Sequence, residues 1–298
     1  MQCFKRNFPA IQECDVDTRT AANVVVCAES SLSQNTLELF RLDGQAAVVT
    51  GSGQGIGRGI ALALADAGAD IVLNARRAED VAETARLVRE RGRRALECVG
   101  DIRGSMSETI AERTLEEFGR IDTWVSNVGG NDEKGTVELL ETDDDHFRAQ
   151  LELNLTTAFQ GAKAAASRMR EGGVIVNIAS GAGMRESPRT GPYAAAKAGM
   201  LNLTQTLAAE LAPRGIRVNA VSPGPVPTEA FVDMLEDPAT LERYAKAVPL
   251  GRFGTPQDIG AAVLFFASPA SSWITGQNLL VAGGRTHRTV AYGGEAED

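Results

Sequence analysis

The sequence of 298 residues has little of what marks disulfide-rich and metal-binding proteins. It contains only four cysteines, and no two of them form a CxxC pair. Its two histidines stand far apart in the chain, and neither has a cysteine nearby. These shortages argue against a disulfide framework and against a structural zinc site, so we expect reduced thiols in a cytoplasmic protein.

Long apolar runs and an excess of basic charge are also missing. No run approaches the ~18–20 apolar residues that a membrane-spanning helix needs, and the N-terminal segment lacks the apolar core of a secretory signal. The formal net charge is −9, whereas nucleic acids and anionic membranes attract clustered basic charge. We therefore expect neither a nucleic acid nor a membrane as partner, and a small molecule remains.

The composition that is present is that of an ordinary globular protein, with 43% hydrophobic and 23% charged residues. A chain of this length buries a core without disulfides or metals. Residues 1–41 are polar and show no periodicity, and the pattern changes at LDGQAAVVTG, residues 42–51. We predict an N-terminal extension over 1–41, either disordered or packed on a neighbour, one folded domain over 42–288, and a frayed acidic tail over 289–298.

Apolar segments of two kinds alternate from residue 46 onward. Short apolar runs predict seven strands, over 46–50, 70–75, 94–99, 121–127, 173–180, 216–222 and 278–283. Helical spacing predicts helices over 56–68, 78–91, 105–118, 143–171 (with or without one break), 192–213 and 256–267. Strands that are apolar throughout and alternate with helices form a parallel sheet covered on both faces. The fold class is therefore α/β, a single Rossmann-type doubly wound parallel sheet of about seven strands.

A glycine-rich loop, TGSGQGIGRG (50–59), follows the first predicted strand. Its glycines do not fit G-x-G-x-x-G and instead show the wider spacing Gly51-x-x-x-Gly55-x-Gly57. Glycines let backbone N–H groups approach a pyrophosphate, and the next helix offers its positive N-terminus. We interpret the loop as a dinucleotide site rather than a turn that binds nothing. The expected contacts are Gly51, Ser52, Gln54, Gly55, Ile56 and Gly57.

The end of the second strand bears on the choice of cofactor. An acidic residue at this place favours a free 2′-hydroxyl on the adenosine ribose, and an arginine favours a 2′-phosphate. The strand ends without an acid and is followed by Arg76 and Arg77. This favours NADP(H) over NAD(H), with both arginines at the phosphate; the alternative is that both are solvated residues at a helix start.

The stretch GPYAAAKAGM (191–200) places Tyr193 and Lys197 four residues apart, on one face of a predicted helix. Free tyrosine has a pKa of ~10, too high for efficient proton exchange at neutral pH. A nearby ammonium stabilises the phenolate and lowers that pKa. The pair therefore indicates a phenol that exchanges protons with a substrate, although either residue alone is more often a packed tyrosine or a solvated lysine.

Five motifs follow one another along this pattern. They are TGSGQGIG (50–57), Asp101 after the third strand, SNVG (126–129), Tyr193-x-x-x-Lys197 and PGPVPT (223–228). In these motifs the chain resembles the short-chain dehydrogenase/reductase family over about residues 42–285, and particularly its single-domain 3-oxoacyl-reductase and hydroxysteroid-dehydrogenase-like members. Two departures stand out: SNVG replaces the family's NNAG, with little effect expected, and the family usually lacks an extension of about 40 residues.

The resemblance implies a catalytic set of Asn154, Ser180, Tyr193 and Lys197. Ser180 would orient the substrate oxygen, Tyr193 would exchange its proton, and Asn154 would support a water and lysine relay to solvent. Lys197 would lower the pKa of the phenol and contact the nicotinamide ribose together with Tyr193. The further cofactor contacts that it implies are Asp101 and Ile102 at the adenine, Asn127 and Gly129 along the adenosine, and Pro223, Gly224, Val226 and Thr228, the last at the carboxamide.

The expected activity is NADP(H)-dependent interconversion of a ketone and a secondary alcohol, with Tyr193 as general acid and base. Steroids, 3-oxoacyl thioesters, and sugars or small ketones remain open as substrates. Two segments of the C-terminal third are similar to bacterial hydroxysteroid dehydrogenases, namely GRFGTPQDI (251–259) and SPASSWITGQ (268–277). Such segments also occur in 3-oxoacyl carrier-protein reductases and in sugar dehydrogenases. Substrate contacts are expected from 130–136, 182–192 and 229–250. Arg185 and Arg189 either attract an acidic substrate or are solvated, and we favour the second.

Two alternatives belong to other classes of activity. A non-catalytic dinucleotide-binding sensor of this fold would usually have lost the tyrosine or the lysine, and this chain keeps the whole catalytic set. An enoyl reductase usually shows a wider Tyr-to-Lys spacing than four.

Assembly is expected as well, because family members commonly form tetramers through two long helices and the last strand. Small residues in 157–167 and 194–199 permit close helix packing. We therefore expect a homotetramer or a homodimer.

Overall fold

The computed structural model describes residues 35–130, 136–227, 242 and 245–284. The chain divides into two units, Met1–Leu39 and Phe40–Asp298, and only residues 35–39 of the first are described. Most of the predicted N-terminal extension and all of the predicted tail thus lie outside the described residues. The predicted domain boundaries stay predictions.

Seven strands form one sheet in which every neighbouring pair is parallel. The strand order is β3-β2-β1-β4-β5-β6-β7. The strands are β1 Ala46–Thr50, β2 Asp70–Ala75, β3 Ala95–Val99, β4 Thr123–Ser126, β5 Val174–Ile178, β6 Arg217–Pro223 and β7 Asn278–Val281. The predicted α/β class and doubly wound sheet are confirmed.

Helices cover both faces of the sheet. The α-helices of the described residues are α1 Gly55–Asp66, α2 Ala78–Glu90, α3 Met106–Phe118, α4 Asp144–Leu151, α5 Thr157–Ala166, α6 Gly191–Leu211 and α7 Pro256–Ala267. Successive residues of β1 point to opposite faces, so Val49 packs with α1, α2 and α7, and Val48 packs with α3, α5 and α6. Burial on both faces explains why β1 and β5 are apolar or fully buried along their length.

The helix predicted over 143–171 is interrupted and shorter than expected. A π-helical turn, Glu152–Thr156, separates α4 from α5. Asp143 caps the start of α4, since its side chain accepts a hydrogen bond from the His146 N–H at 2.6 Å. The predicted end at 171 is wrong, because α5 stops at Ala166, whose carbonyl accepts a hydrogen bond from the Arg214 guanidinium at 2.5 Å.

The sheet reverses its winding between β1 and β4. Ligands of open α/β sheets bind outside the carboxyl ends of the strands at such a point. The glycine loop follows β1 and the SNVG segment follows β4, so the fold brings both to this crevice. In the part of the chain that the structure covers, no helix combines the length and apolar character needed to cross a membrane.

Candidate active site

The glycine loop is a tight turn closed by Asn127. Gly51 and Gly55 adopt φ of 65° and 52°, a region that favours glycine. The Asn127 side-chain amide donates to the carbonyls of Thr50 at 2.9 Å and Gly51 at 3.2 Å. A Cβ on Gly57 would overlap the Gly51 carbonyl oxygen, so the helix N-terminus sits directly against the loop.

This loop fits the pyrophosphate of a dinucleotide. Helix α1 begins at Gly55, and the Gln54 side chain makes no capping hydrogen bond within the described residues. The first N–H groups of the helix therefore have no side-chain cap, at the end where the helix dipole favours an anion. Within the same residues, no group of His, Cys, Asp and Glu is arranged to hold a metal.

Ser52 and Asn74 fasten the loop to the neighbouring strands. Ser52 is fully buried; its N–H donates to the Asn74 carbonyl at 2.9 Å, and its hydroxyl accepts from the Asn74 N–H at 3.0 Å. The Asn74 side-chain amide donates to the carbonyls of Cys98 at 2.9 Å and Gly100 at 3.1 Å. The serine hydroxyl is thus engaged with the scaffold, and the Asn74 side chain ties β2 to β3.

The two arginines after β2 have different surroundings. Arg77 forms an ion pair with Asp80 at 2.5 Å and donates to the Gln54 side-chain oxygen at 2.9 Å. Arg76 is exposed, and in the described part of the chain it makes no hydrogen bond or ion pair. The pKa of Asp101 is lowered to about 2, mainly by hydrogen bonding from Arg103, with the charge of Arg76 contributing. Arg76 therefore lies on the Asp101 side of the crevice. Ile102, the next residue after Asp101, is buried.

Helix α6 presents Tyr193 and Lys197 together, as their spacing predicts. The Lys197 ammonium lies 5.7 Å from the centre of the Tyr193 ring. The lysine side chain is buried, and its Nζ donates to the Ile178 carbonyl at the end of β5 at 2.8 Å. Pro192 in the first turn suits the start of this helix, because proline has no N–H to leave unbonded.

Burial lowers the pKa of Lys197 to about 7. In the described residues no carboxylate pairs with the ammonium, so the cost of removing the charge from water is not offset by an opposite charge. Such a lysine changes its protonation state near neutral pH, which suits a group that takes part in proton transfer.

Ser180 stands just after β5, on the edge that holds Lys197. It begins a short 3₁₀ turn, Gly181–Met184, and its hydroxyl accepts a hydrogen bond from the Ala182 N–H at 3.1 Å. That turn rests on α6, since a Cβ on Gly183 would lie 2.6 Å from the Lys197 carbonyl carbon. The turn that follows the serine is thereby packed against α6 at Lys197 and Ala198.

Asn154 occupies the middle of the π-helical turn and is fully buried. Its Nδ2 donates to the Gly130 carbonyl at 3.0 Å, and its Oδ1 accepts from the Gly130 N–H at 2.8 Å. A Cβ on Gly129 would lie 2.6 Å from Asn154 Oδ1 and 2.7 Å from Lys197 Nζ. The amide oxygen and the ammonium are therefore neighbours across Gly129.

The predicted contacts after β6 are only partly described. Gly224 donates its N–H to the Val281 carbonyl at 2.9 Å, and a Cβ there would lie 2.7 Å from Ala282. Pro223 ends β6 and Val226 is buried. Thr228 lies outside the described residues, as do 131–135 and most of 229–250 among the predicted substrate segments.

A cavity of about 470 Å³ opens beside the start of α6, between the segment 182–191 and Leu139. Arg185 and Arg189 line it, and Arg189 is half exposed, with its Nε 3.8 Å from Glu138. The residues that line it do not include Ser180, Tyr193 or Lys197. The cavity is therefore adjacent to the predicted catalytic face rather than centred on it.

The arrangement thus brings most of the predicted residues to one crevice. Asn154 and Lys197 meet across Gly129, and Tyr193 lies beside Lys197 on α6. Ser180 follows β5 and begins the turn that packs against α6 at Lys197. Sequence reasoning missed Gln150, whose side chain contacts Asn154. Its position four residues before Asn154 on a predicted helix was the available signal.

Comparison with known proteins identifies the family. Residues 51–286 match a family model described as Enoyl-(Acyl carrier protein) reductase. The 7alpha-hydroxysteroid dehydrogenase of Escherichia coli strain K12 is 34% identical over 82% of this chain and 95% of its own length. The chain belongs to the short-chain dehydrogenase/reductase family. It is accordingly an NAD(P)-dependent oxidoreductase, and the family binds a nicotinamide dinucleotide.

Further relatives differ in their substrates. A galactitol 2-dehydrogenase (L-tagatose-forming) of Cereibacter sphaeroides is 38% identical over 83% of this chain and 97% of its own. A 3-oxoacyl-[acyl-carrier-protein] reductase of Synechocystis is 36% identical over 82% and 97%. A solved structure of 7α-hydroxysteroid dehydrogenase with NADH and 7-oxo glycochenodeoxycholic acid superposes with a TM-score of 0.79, at 33% identity over 84% and 98% of the two chains.

The unpaired buried ammonium leads to a prediction about stability. Lys197→Met should raise the melting temperature at pH 7, because methionine removes a charge that is costly to bury. The folded lysine loses its proton near pH 7 and the unfolded lysine near 10.5, so between these values the unfolded chain binds more protons and the parent gains stability with rising pH.

Calorimetry of the parent and of Lys197→Met at about pH 7 and about pH 10 tests this. The amount by which the variant melts above the parent should be smaller at the higher pH. A variant that melts below the parent by the same margin at both values would contradict the account.

Proposed function

We propose that the protein interconverts a ketone and a secondary alcohol with NADP(H), using Tyr193 as general acid and base. The observation that carries this proposal is the buried Lys197 ammonium, 5.7 Å from the Tyr193 ring and adjacent to Asn154 across Gly129. The bound nicotinamide supplies the hydride for carbonyl reduction, or accepts it in the reverse direction. The chain's own residues position the substrate oxygen and move its proton.

Each of the four side chains has one task in this proposal. The Tyr193 hydroxyl gives its proton to the substrate oxygen during reduction and takes it back during oxidation. The Ser180 hydroxyl donates a hydrogen bond to that oxygen, which orients it and stabilises its developing negative charge. Lys197 stabilises the phenolate that remains on Tyr193. Asn154 Oδ1, close to the ammonium, supports the path by which a proton returns from solvent.

The preference for NADP(H) rests on Arg76. Its guanidinium has no hydrogen bond or ion pair in the described part of the chain and sits on the Asp101 side of the crevice. It is thus available to a 2′-phosphate, whereas Arg77 is engaged by Asp80 and Gln54. The relative solved with NADH is the finding that weighs on the other side.

The substrate belongs to one of three classes that the relatives represent, namely steroids, 3-oxoacyl thioesters and sugar alcohols. The cavity beside α6 is one surface that would contact such a substrate. Arg189 faces Glu138, which favours a solvated arginine over a dedicated site for an acid.

Two alternatives remain for the test. The family model carries the description of an enoyl reductase, but the four-residue spacing of Tyr193 and Lys197 favours carbonyl reduction. A dinucleotide-binding sensor of the same fold would not require an ammonium buried next to a phenol, and that arrangement favours an enzyme.

Substitution of the phenol tests the catalytic assignment. Tyr193→Phe should lower kcat by about 10³-fold or more, because it removes the proton donor while keeping the ring. NADPH oxidation would be followed over keto-steroids, β-ketoacyl thioesters, keto-sugars, aryl ketones and an enoyl thioester. Cofactor affinity, measured by fluorescence titration, should change little. Full turnover in the variant would refute the assignment, and cofactor binding with no turnover on any compound would favour the sensor.

The two arginines provide a matched pair for cofactor preference. Arg76→Ala should lower kcat/KM for NADPH about 10- to 100-fold and leave kcat/KM for NADH nearly unchanged, since only NADPH carries the 2′-phosphate. Arg77→Ala should weaken both cofactors to a similar extent, because it loosens the contact between α2 and the glycine loop. Steady-state kinetics with both cofactors gives the ratio, and an unchanged NADPH-to-NADH ratio in Arg76→Ala would contradict the proposed preference.

We propose that the protein assembles as a homotetramer or a homodimer. Phe147 on α4 and Phe159 on α5 are exposed, as are Leu279 on β7 and Trp273 in the segment that precedes β7. Apolar side chains on these elements would be covered by copies of the chain. Small-angle scattering should give a mass of two or four chains, and a monomeric mass at micromolar concentration would refute the proposal.

A further inference from the structure

Gln150, in the last turn of α4, is a buried polar side chain that the four catalytic assignments do not include. It is 1% exposed and ranks among the largest fully buried side chains of the described residues. Burying an amide is costly unless its polar atoms are hydrogen-bonded. Its contacts therefore show what it contributes to the site.

The Gln150 side chain is directed at Asn154. Its Oε1 accepts a hydrogen bond from Asn154 Nδ2 at 2.9 Å, and the Gln150 backbone carbonyl lies 3.1 Å from the same nitrogen. Residues i and i+4 share a helix face, and the π-helical turn begins between them. Gln150 thus meets the one predicted catalytic side chain that lies on the interrupted helix.

The contact acts together with the Gly130 backbone to set the orientation of the Asn154 amide. In that orientation Oδ1 accepts from the Gly130 N–H at 2.8 Å and faces the side of Gly129 where Lys197 Nζ lies. A reversed amide would direct Nδ2 toward the ammonium and would set Oδ1 against the Gln150 and Gly130 oxygens. Gln150 Oε1 accepts but cannot donate, so in its present orientation the Gln150 side chain opposes that reversal, as the Gly130 carbonyl does.

The geometry points to Gln150 as a positioning residue that keeps Asn154 Oδ1 toward Lys197 and thereby supports proton return to Tyr193. This inference rests on the proposed function, because it assumes that the Tyr193 and Lys197 pair transfers protons. Gln150 is assigned no contact with the reacting atoms and acts through Asn154.

Gln150→Met removes the acceptor and keeps an unbranched side chain of similar length. It should lower kcat about three- to tenfold, the effect of losing one hydrogen bond, while KM for the ketone and for NADPH stays within about twofold of the parent. The solvent deuterium isotope effect on kcat should increase, because proton return becomes slower. Gln150→Glu retains an oxygen acceptor and should restore kcat to within about twofold of the parent.

The matched control is Gln160→Met on α5, the same substitution at a partly buried glutamine whose Oε1 has no hydrogen-bond partner in the described residues. It should leave both kcat and the isotope effect at parent values.

Gln150→Leu is a second variant without the acceptor, for use if Gln150→Met does not fold. If neither folds, the Glu variant decides, because a tenfold loss of kcat in that variant would overturn the inference.

Asn154→Ala separates this inference from the proposed function. If Asn154→Ala and Tyr193→Phe lose turnover while folded Gln150→Met or Gln150→Leu turns over like the parent, the positioning role is wrong and the proposed function stands. If Tyr193→Phe retains full turnover, the proposed function itself fails. A fall in kcat with an unchanged isotope effect and no rescue by Glu would show a merely structural role and overturn the inference.

Discussion

The buried ammonium of Lys197 is the constraint on which the rest of the site depends. It is held by the Ile178 carbonyl and lies without a carboxylate partner in the described residues. Its position requires a glycine at 129, since a Cβ there would reach both Lys197 Nζ and Asn154 Oδ1. The Gly181–Met184 turn, which follows Ser180, packs closely against the backbone of the same lysine.

On the cofactor side of the crevice, side chains form hydrogen bonds with the backbone carbonyl and N–H groups of the loop and the strands. Asn127 bonds the carbonyls of the glycine loop, and Ser52 and Asn74 join that loop to β2 and β3. The amide and hydroxyl groups of these side chains thus hold the loop in place. Among the described residues, the first N–H groups of α1 have no side-chain cap, and the end of a helix dipole at which they lie favours an anion.

Much of this could be predicted from the sequence, because it depends on local patterns. Apolar runs gave all seven strands to within three residues at each end, and the spacing of Tyr193 and Lys197 placed them on one helix face. The sequence leaves open a break in the helix predicted over 143–171, but its place and its π-helical form could not be foreseen, since they depend on packing and on the hydrogen bonds of Asn154 with Gln150 and Gly130. The unequal roles of Arg76 and Arg77 also required the fold, because Asp80 and Gln54 meet Arg77 only in three dimensions.

The most direct test of the central claim is to follow hydride transfer by isotope. The protein would be supplied with NADPH deuterated on the reactive face of C4, and the product would be analysed by NMR and mass spectrometry. Reduction of a carbonyl places one deuterium on the new carbinol carbon, with the hydroxyl proton coming from solvent. Deuterium found instead on a carbon of a former C=C bond, or no transfer to any ketone, would contradict the account.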